Sequence, residues 1–203
     1  MSNFELFMAF FGLLLGLAVA ELMSGFANLA RAKDRTKIGL ITPVLGLLIF
    51  LSIMTSLLDA FRKLQDVPVS LVGFALPTLI GIAYFVAAVA AVPRDQNSWE
   101  SLDDYFFARR TWTAGMLLAA NVLTLGIELP VSTGMIRNGE WSAFAHYAGV
   151  NLVWLAAHVV TVAAAKRWMV LAGMGLLIAL ILFYYGDFAI TFFPQTGAGN
   201  VPA

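Results

Sequence analysis

Six stretches of this chain are apolar for about the roughly 20 residues a helix needs to cross a bilayer. They run from Phe4 to Leu29, Ile38 to Leu58, Val69 to Val92, Thr111 to Leu129, Trp141 to Ala165 and Trp168 to Phe193. Hydrocarbon offers no partner to a backbone N–H or C=O, so each stretch must close its hydrogen bonds internally as a helix. The pattern predicts an all-α, polytopic integral membrane protein, a bundle of six transmembrane helices. Residues 1–193 form one domain on this reading, and the Gly/Pro/Ala-rich tail 194–203 frays. Only 12% of the residues are charged, against about 25% in a soluble domain. The first apolar run begins almost at Met1 without a basic segment before it, so a cleaved signal peptide is not expected.

Basic residues fall unevenly between the connecting segments. Arg31, Lys33, Arg35, Lys37, Arg94, Arg109, Arg110, Lys166 and Arg167 lie on one side, and Arg62, Lys63 and Arg137 on the other. The positive-inside rule then puts both termini outside the cytoplasm, in a multi-pass protein of a bacterial-type inner (plasma) membrane. Trp112, Trp141 and Trp168 stand at span starts, where interfacial indoles are expected. Between the third and fourth spans Pro93 stops one helix and Ser98 offers a cap for a short second one. Trp99, Leu102 and Phe106 fall at i, i+3 and i+7, with Asp103 and Asp104 on the other face. This predicts an interfacial amphipathic helix, either a simple elbow into the fourth span or a gate or docking face.

Polar residues recur three, four or seven apart, the spacing of one helix face. The stripes are Glu21, Ser24 and Asn28; Ser52, Thr55, Ser56 and Asp59; Asn121, Thr124 and Glu128; Tyr147, Asn151, His158 and Thr161; and Tyr184, Asp187 and Thr191. The third span carries less, with Thr78, Gly81 and Tyr84. Such stripes face protein or water rather than lipid. They read as a polar path between helices, or as interhelical hydrogen bonds that only hold the bundle.

Carboxylates in a membrane are costly and mark sites, so the ionisable residues are the sharper candidates. Glu21 and His158 lie at matched depth in the inner half of their spans, which suggests a carboxylate–imidazole pair suited to a proton relay. Glu128 and Asp187 lie about one turn inside the opposite ends, with Asn121 and Asn151 further in. Asp59 precedes Arg62 by three residues, and the two read as an interfacial ion pair. Gly12 and Gly16 form a GxxxG pattern, expected to pack against another helix of the same bundle. Pro43, Pro77 and Pro130 are candidate kinks.

Several functions lack their residues. The chain has no cysteine, so thiolate metal sites and cysteine nucleophiles are excluded. Glu128, Asp187 and His146 come from three helices with no ligand spacing between them, and no metal or other cofactor is expected. No phosphate-binding Gly-rich loop, nucleophile elbow or zincin helix occurs, so an enzyme is the least favoured class. No lysine lies inside an expected span, which argues against a Schiff-base site. Net charge is zero, and no basic, aromatic-interleaved patch for nucleic acid exists. The expected surroundings are the lipid bilayer, together with a homo-oligomer or a larger membrane complex. The favoured function is a small channel or transporter of protons or cations. Its path residues would be Glu21, His158, Asp187, Glu128, Asn121 and Asn151. The alternative is a non-catalytic subunit or scaffold of a larger inner-membrane complex.

Overall fold

A computed structural model describes residues 3–31, 38–63, 65, 71–95 and 98–186. Asp187, Thr191 and the expected tail 194–203 lie outside the described residues. Among those described, seven helices form: α1 (Asn3–Arg31), α2 (Ile41–Lys63), α3 (Leu71–Ala91), α4 (Leu102–Arg109), α5 (Ala114–Arg137), α6 (Trp141–Ala163) and α7 (Arg167–Tyr185). All but α4 are long and apolar enough to cross a membrane. The protein is therefore a six-helix membrane bundle with a short helix between its third and fourth spans.

Two helices outrun their apolar stretches. α2 continues past Leu58 to Lys63, because Asp59 and Lys63 are one helical turn apart and pair across it at 3.2 Å. α5 continues through Pro130 to Arg137. Proline removes one amide donor, that to the Gly126 carbonyl one turn earlier. The Ser132 and Thr133 hydroxyls that follow both donate to the Leu129 carbonyl, so neither is left unpaired. Asn138, Gly139 and Glu140 then reverse the chain into α6, and Gly139 supplies the positive φ of 75° that the turn requires. Pro43 makes no kink, since it sits in the first turn of α2, where a missing N–H costs nothing.

The long helices close into a ring in the order α1, α3, α5, α6, α7, α2 and back to α1. α1 faces the ring with Phe7, Phe11, Leu15, Ala18 and Leu22, an i, i+4, i+8 stripe of large side chains. The expected internal packing through Gly12 and Gly16 does not occur: a side chain at either position would meet no atom within 4 Å. The stripe of bulky residues buries more surface against α3 than a glycine face could, so it takes the inward position. A tight helix contact through glycine lies elsewhere. Gly173 of α7 is so near α6 that a Cβ there would lie 2.6 Å from the Thr161 hydroxyl.

The bundle is solid at one end only. In the half nearer α4, Ala18, Leu22, Leu45, Leu48, Ile49, Ala87, Leu102, Phe106, Ala114, Val170, Met174 and Leu177 are almost wholly buried. α4 closes that end. Its cap is Ser101, whose hydroxyl accepts from the Asp104 amide at 3.2 Å. The expected cap Ser98 is instead engaged with Asp95, so the helix starts one turn later and Trp99 stays outside it, edge-on to Tyr105. Leu102 and Phe106 pack into the bundle rather than outward.

Asp103 does not face away, as its spacing suggested. It is 6% exposed and its Oδ1 accepts from the Ile41 amide at 3.3 Å, capping α2 from another element. Gly39 has to be glycine for this, because a Cβ would fall onto that carboxylate. Arg167 then binds Asp104 at 3.1 Å and Asp103 at 3.7 Å, and Arg110 donates to the Ala164 carbonyl at 3.1 Å. α2, α4, α6 and α7 are thereby tied at one end.

Candidate functional site

The opposite half of the ring is hollow. A cavity of about 440 Å³ occupies it, with lining residues from all six long helices. Its polar wall follows from the stripes: Ser52, Ser56 and Asp59 on α2, Asn121, Thr124 and Glu128 on α5, and Tyr147, Asn151 and His158 on α6 each project to one face. Phe11, Ile80, Leu117 and Trp154 supply apolar surface between them.

The charged centre is at the mouth. Lys63 Nζ donates to Glu128 Oε1 at 2.6 Å and to Asp59 Oδ2 at 3.2 Å. The Tyr147 hydroxyl donates to Glu128 Oε2 at 2.8 Å, and the Tyr185 hydroxyl donates to Asp59 Oδ2 at 2.7 Å. One ammonium therefore bridges two carboxylates from different helices, and each carboxylate also holds a phenol. The Lys63 side chain is 49% exposed, while those of Asp59 and Glu128 are 20% and 14% exposed. The acids are set inward and the amine reaches them from the mouth. Charge-assisted hydrogen bonds of this length are about twice as strong as neutral ones, so the cluster fixes α2, α5, α6 and α7 around the opening.

The deep end is polar and carries none of the carboxylates that line the mouth. His158 Nδ1 lies 2.9 Å from the Trp154 carbonyl. A carbonyl only accepts, so Nδ1 carries the proton and Nε2 is left for the cavity. The imidazole lies nearly parallel to the Trp154 indole. Asn121 Oδ1 is buried and has no hydrogen-bond partner, while Asn151 donates to the Tyr147 carbonyl.

Among the sequence candidates, the structure brings Glu128, Asn121, Asn151, His158, Asp59 and Arg62 to one cavity wall. It does not bring Glu21 there. Glu21 and His158 share a depth, but α1 packs between α3 and α2 while α6 packs between α5 and α7. The Glu21 carboxylate sits 3.8 Å from the Arg94 guanidinium instead. Asp59 takes Lys63, one helical turn on, rather than the expected Arg62. Lys63 and Tyr185 are the site residues sequence reasoning passed over. Lys63 was legible as the i+4 partner of Asp59, had α2 been extended beyond its apolar stretch. Among the described residues no three metal-ligating side chains gather.

Compared with known protein families, with curated proteins and with solved structures, this chain has no match.

Proposed function

We propose that this protein is a membrane transporter that admits a positively charged solute into the cavity from the non-cytoplasmic side. The observation that carries the reading is the Asp59–Lys63–Glu128 cluster at the mouth of a cavity that stops halfway through the bundle. A continuous pore would need polar lining along the whole ring. The half beside α4 is filled by apolar side chains instead, which favours alternating access over an open channel. Two inset carboxylates give a cation a place to shed water, and Lys63 neutralises them when no cation is bound. The nine-to-three basic count supports an outward-facing mouth, since the packed end carries Arg31, Arg94, Arg109, Arg110, Lys166 and Arg167.

The test is flux into proteoliposomes, followed with a pH-sensitive dye and with labelled monovalent cations. Wild type is expected to carry cations or protons down a gradient. Glu128→Gln should reduce the rate at least about tenfold, the effect of about 1.4 kcal/mol. Glu21→Gln should leave it unchanged, because Glu21 pairs with Arg94 outside the cavity. Equal rates for wild type, Glu128→Gln and empty vesicles would sink the transport reading and return the chain to the role of a complex subunit.

A further inference from the structure

The cavity is far larger than a bare cation needs. Its volume of about 440 Å³ falls within the roughly 300–1,000 Å³ of sites that hold small organic molecules. Its groups are also graded along its length. At the mouth, two carboxylates and two phenols already surround a primary ammonium, that of Lys63. Further in, Phe11, Ile80, Leu117 and Trp154 present apolar and aromatic walls. Two turns from Glu128 toward the packed end, about 10 Å along α5, the Asn121 side chain lines the cavity, and His158 lines the same end.

Resting on the transport reading above, we propose that the solute is an elongated primary amine. Its ammonium takes the place of Lys63 Nζ between Asp59 and Glu128. Its aromatic or apolar body lies along Phe11 and Trp154, and a polar group at its far end meets the Asn121 amide, which lines the deeper wall. Lys63 is the resident surrogate of the ligand's own head group. Its half-exposed side chain swings toward solvent as the ligand enters, so the two carboxylates always face one positive charge. Each part of the cavity then has a matching part of the ligand. The carboxylates select the charge, the aromatic walls contribute cation–π and stacking surface, and the Asn121 amide sets the length.

The experiment is isothermal titration of the full-length protein in detergent micelles with tyramine, which carries a primary ammonium and a phenol at opposite ends of an aromatic body. Comparison probes are phenethylamine, 4-ethylphenol, 3-(4-hydroxyphenyl)propionate and sodium chloride. Tyramine is expected to bind at least about tenfold tighter than 4-ethylphenol, which lacks the ammonium, a gap of about 1.4 kcal/mol. Phenethylamine should bind several-fold more weakly than tyramine, and that difference should vanish in Asn121→Leu. Glu128→Gln should lose at least about tenfold in tyramine affinity, again about 1.4 kcal/mol. Lys63→Met should gain affinity, because it removes the internal competitor.

Loss of tyramine binding in Lys63→Met, in protein whose thermal melt is unchanged, would overturn the proposal. So would tighter binding of the propionate, which would make Lys63 a counter-ion for an anionic ligand. Glu128-dependent flux of sodium or protons without binding of either amine would overturn it too, while leaving the transport reading intact. Tyramine binding with the expected pattern and no flux of any cation would leave the amine site standing and remove the carrier.

Discussion

Replacing Asp103 by alanine should unlatch the packed end of the bundle, and its cost follows from two contacts. The Ile41 amide loses its acceptor at 3.3 Å while Ile41 itself stays fully buried. An unsatisfied buried donor of this kind costs about 1–3 kcal/mol, and loss of a helix cap alone typically costs about 1 kcal/mol. These describe one bond and are not summed. The Arg167 pair at 3.7 Å adds little, because the Arg167 side chain is 58% exposed and such pairs contribute about 0–1 kcal/mol. The expected destabilisation is about 1–4 kcal/mol.

Asp103→Asn keeps an oxygen for Ile41 and loses only charge, so it should cost about 1 kcal/mol or less. Unfolding in mixed micelles by SDS titration, followed by circular dichroism, separates the two. Gly39→Ala supplies a second arm of a double-mutant cycle. It should harm wild type, where its Cβ meets the carboxylate, and be nearly silent on the Asp103→Ala background. Equal stability of the alanine and asparagine variants would refute capping as the role of Asp103, and additive effects with Gly39→Ala would refute the contact.

Gly173→Val should destabilise by about 1–3 kcal/mol, as overpacking does, because the new Cβ lies 2.6 Å from the Thr161 hydroxyl; the same titration reads it, and a neutral effect would mean that α6 and α7 separate freely. The Ser101 hydroxyl, and then Arg167, hold the Asp104 carboxyl below its ordinary value of 3.8. A depressed folded value means that its contribution is present above pH 3.8 and is lost as pH falls through that value and below it. The protection of α4 amides against exchange, relative to the intrinsic rate at each pH, should therefore fall below this pH in wild type and show less pH dependence in Asp104→Asn; identical profiles would exclude Asp104 as the titrating group. A reporter active only in the cytoplasm, fused after Ala203, should be silent, and activity there would reverse the proposed orientation.

The apolar stretches determined the class of fold without help. Length and hydropathy leave a segment in hydrocarbon only one way to satisfy its backbone, so six helices were legible in the sequence. The stripes were legible too, because Asn121, Thr124 and Glu128 share a helix face whatever surrounds them. Helix ends were less so. A bilayer-length window stops counting at Asp59, whereas the backbone hydrogen bonds of α2 run on to Lys63 through a pair one turn apart.

Only the tertiary structure decided which stripes meet. Depth along a span is a sequence property, but neighbourhood in a ring is not. Glu21 and His158 match in depth and stand on helices that are not ring neighbours, while Lys63 and Glu128, 65 positions apart, touch. The same holds for Asp103, whose place on an amphipathic wheel pointed to solvent and whose carboxylate instead caps α2. The sequence by itself determined that polar groups must turn inward from lipid. Which of them form a cavity, and which close the far end, depended on how large side chains such as Leu22, Leu48 and Phe106 filled one half of the ring and left the other half open.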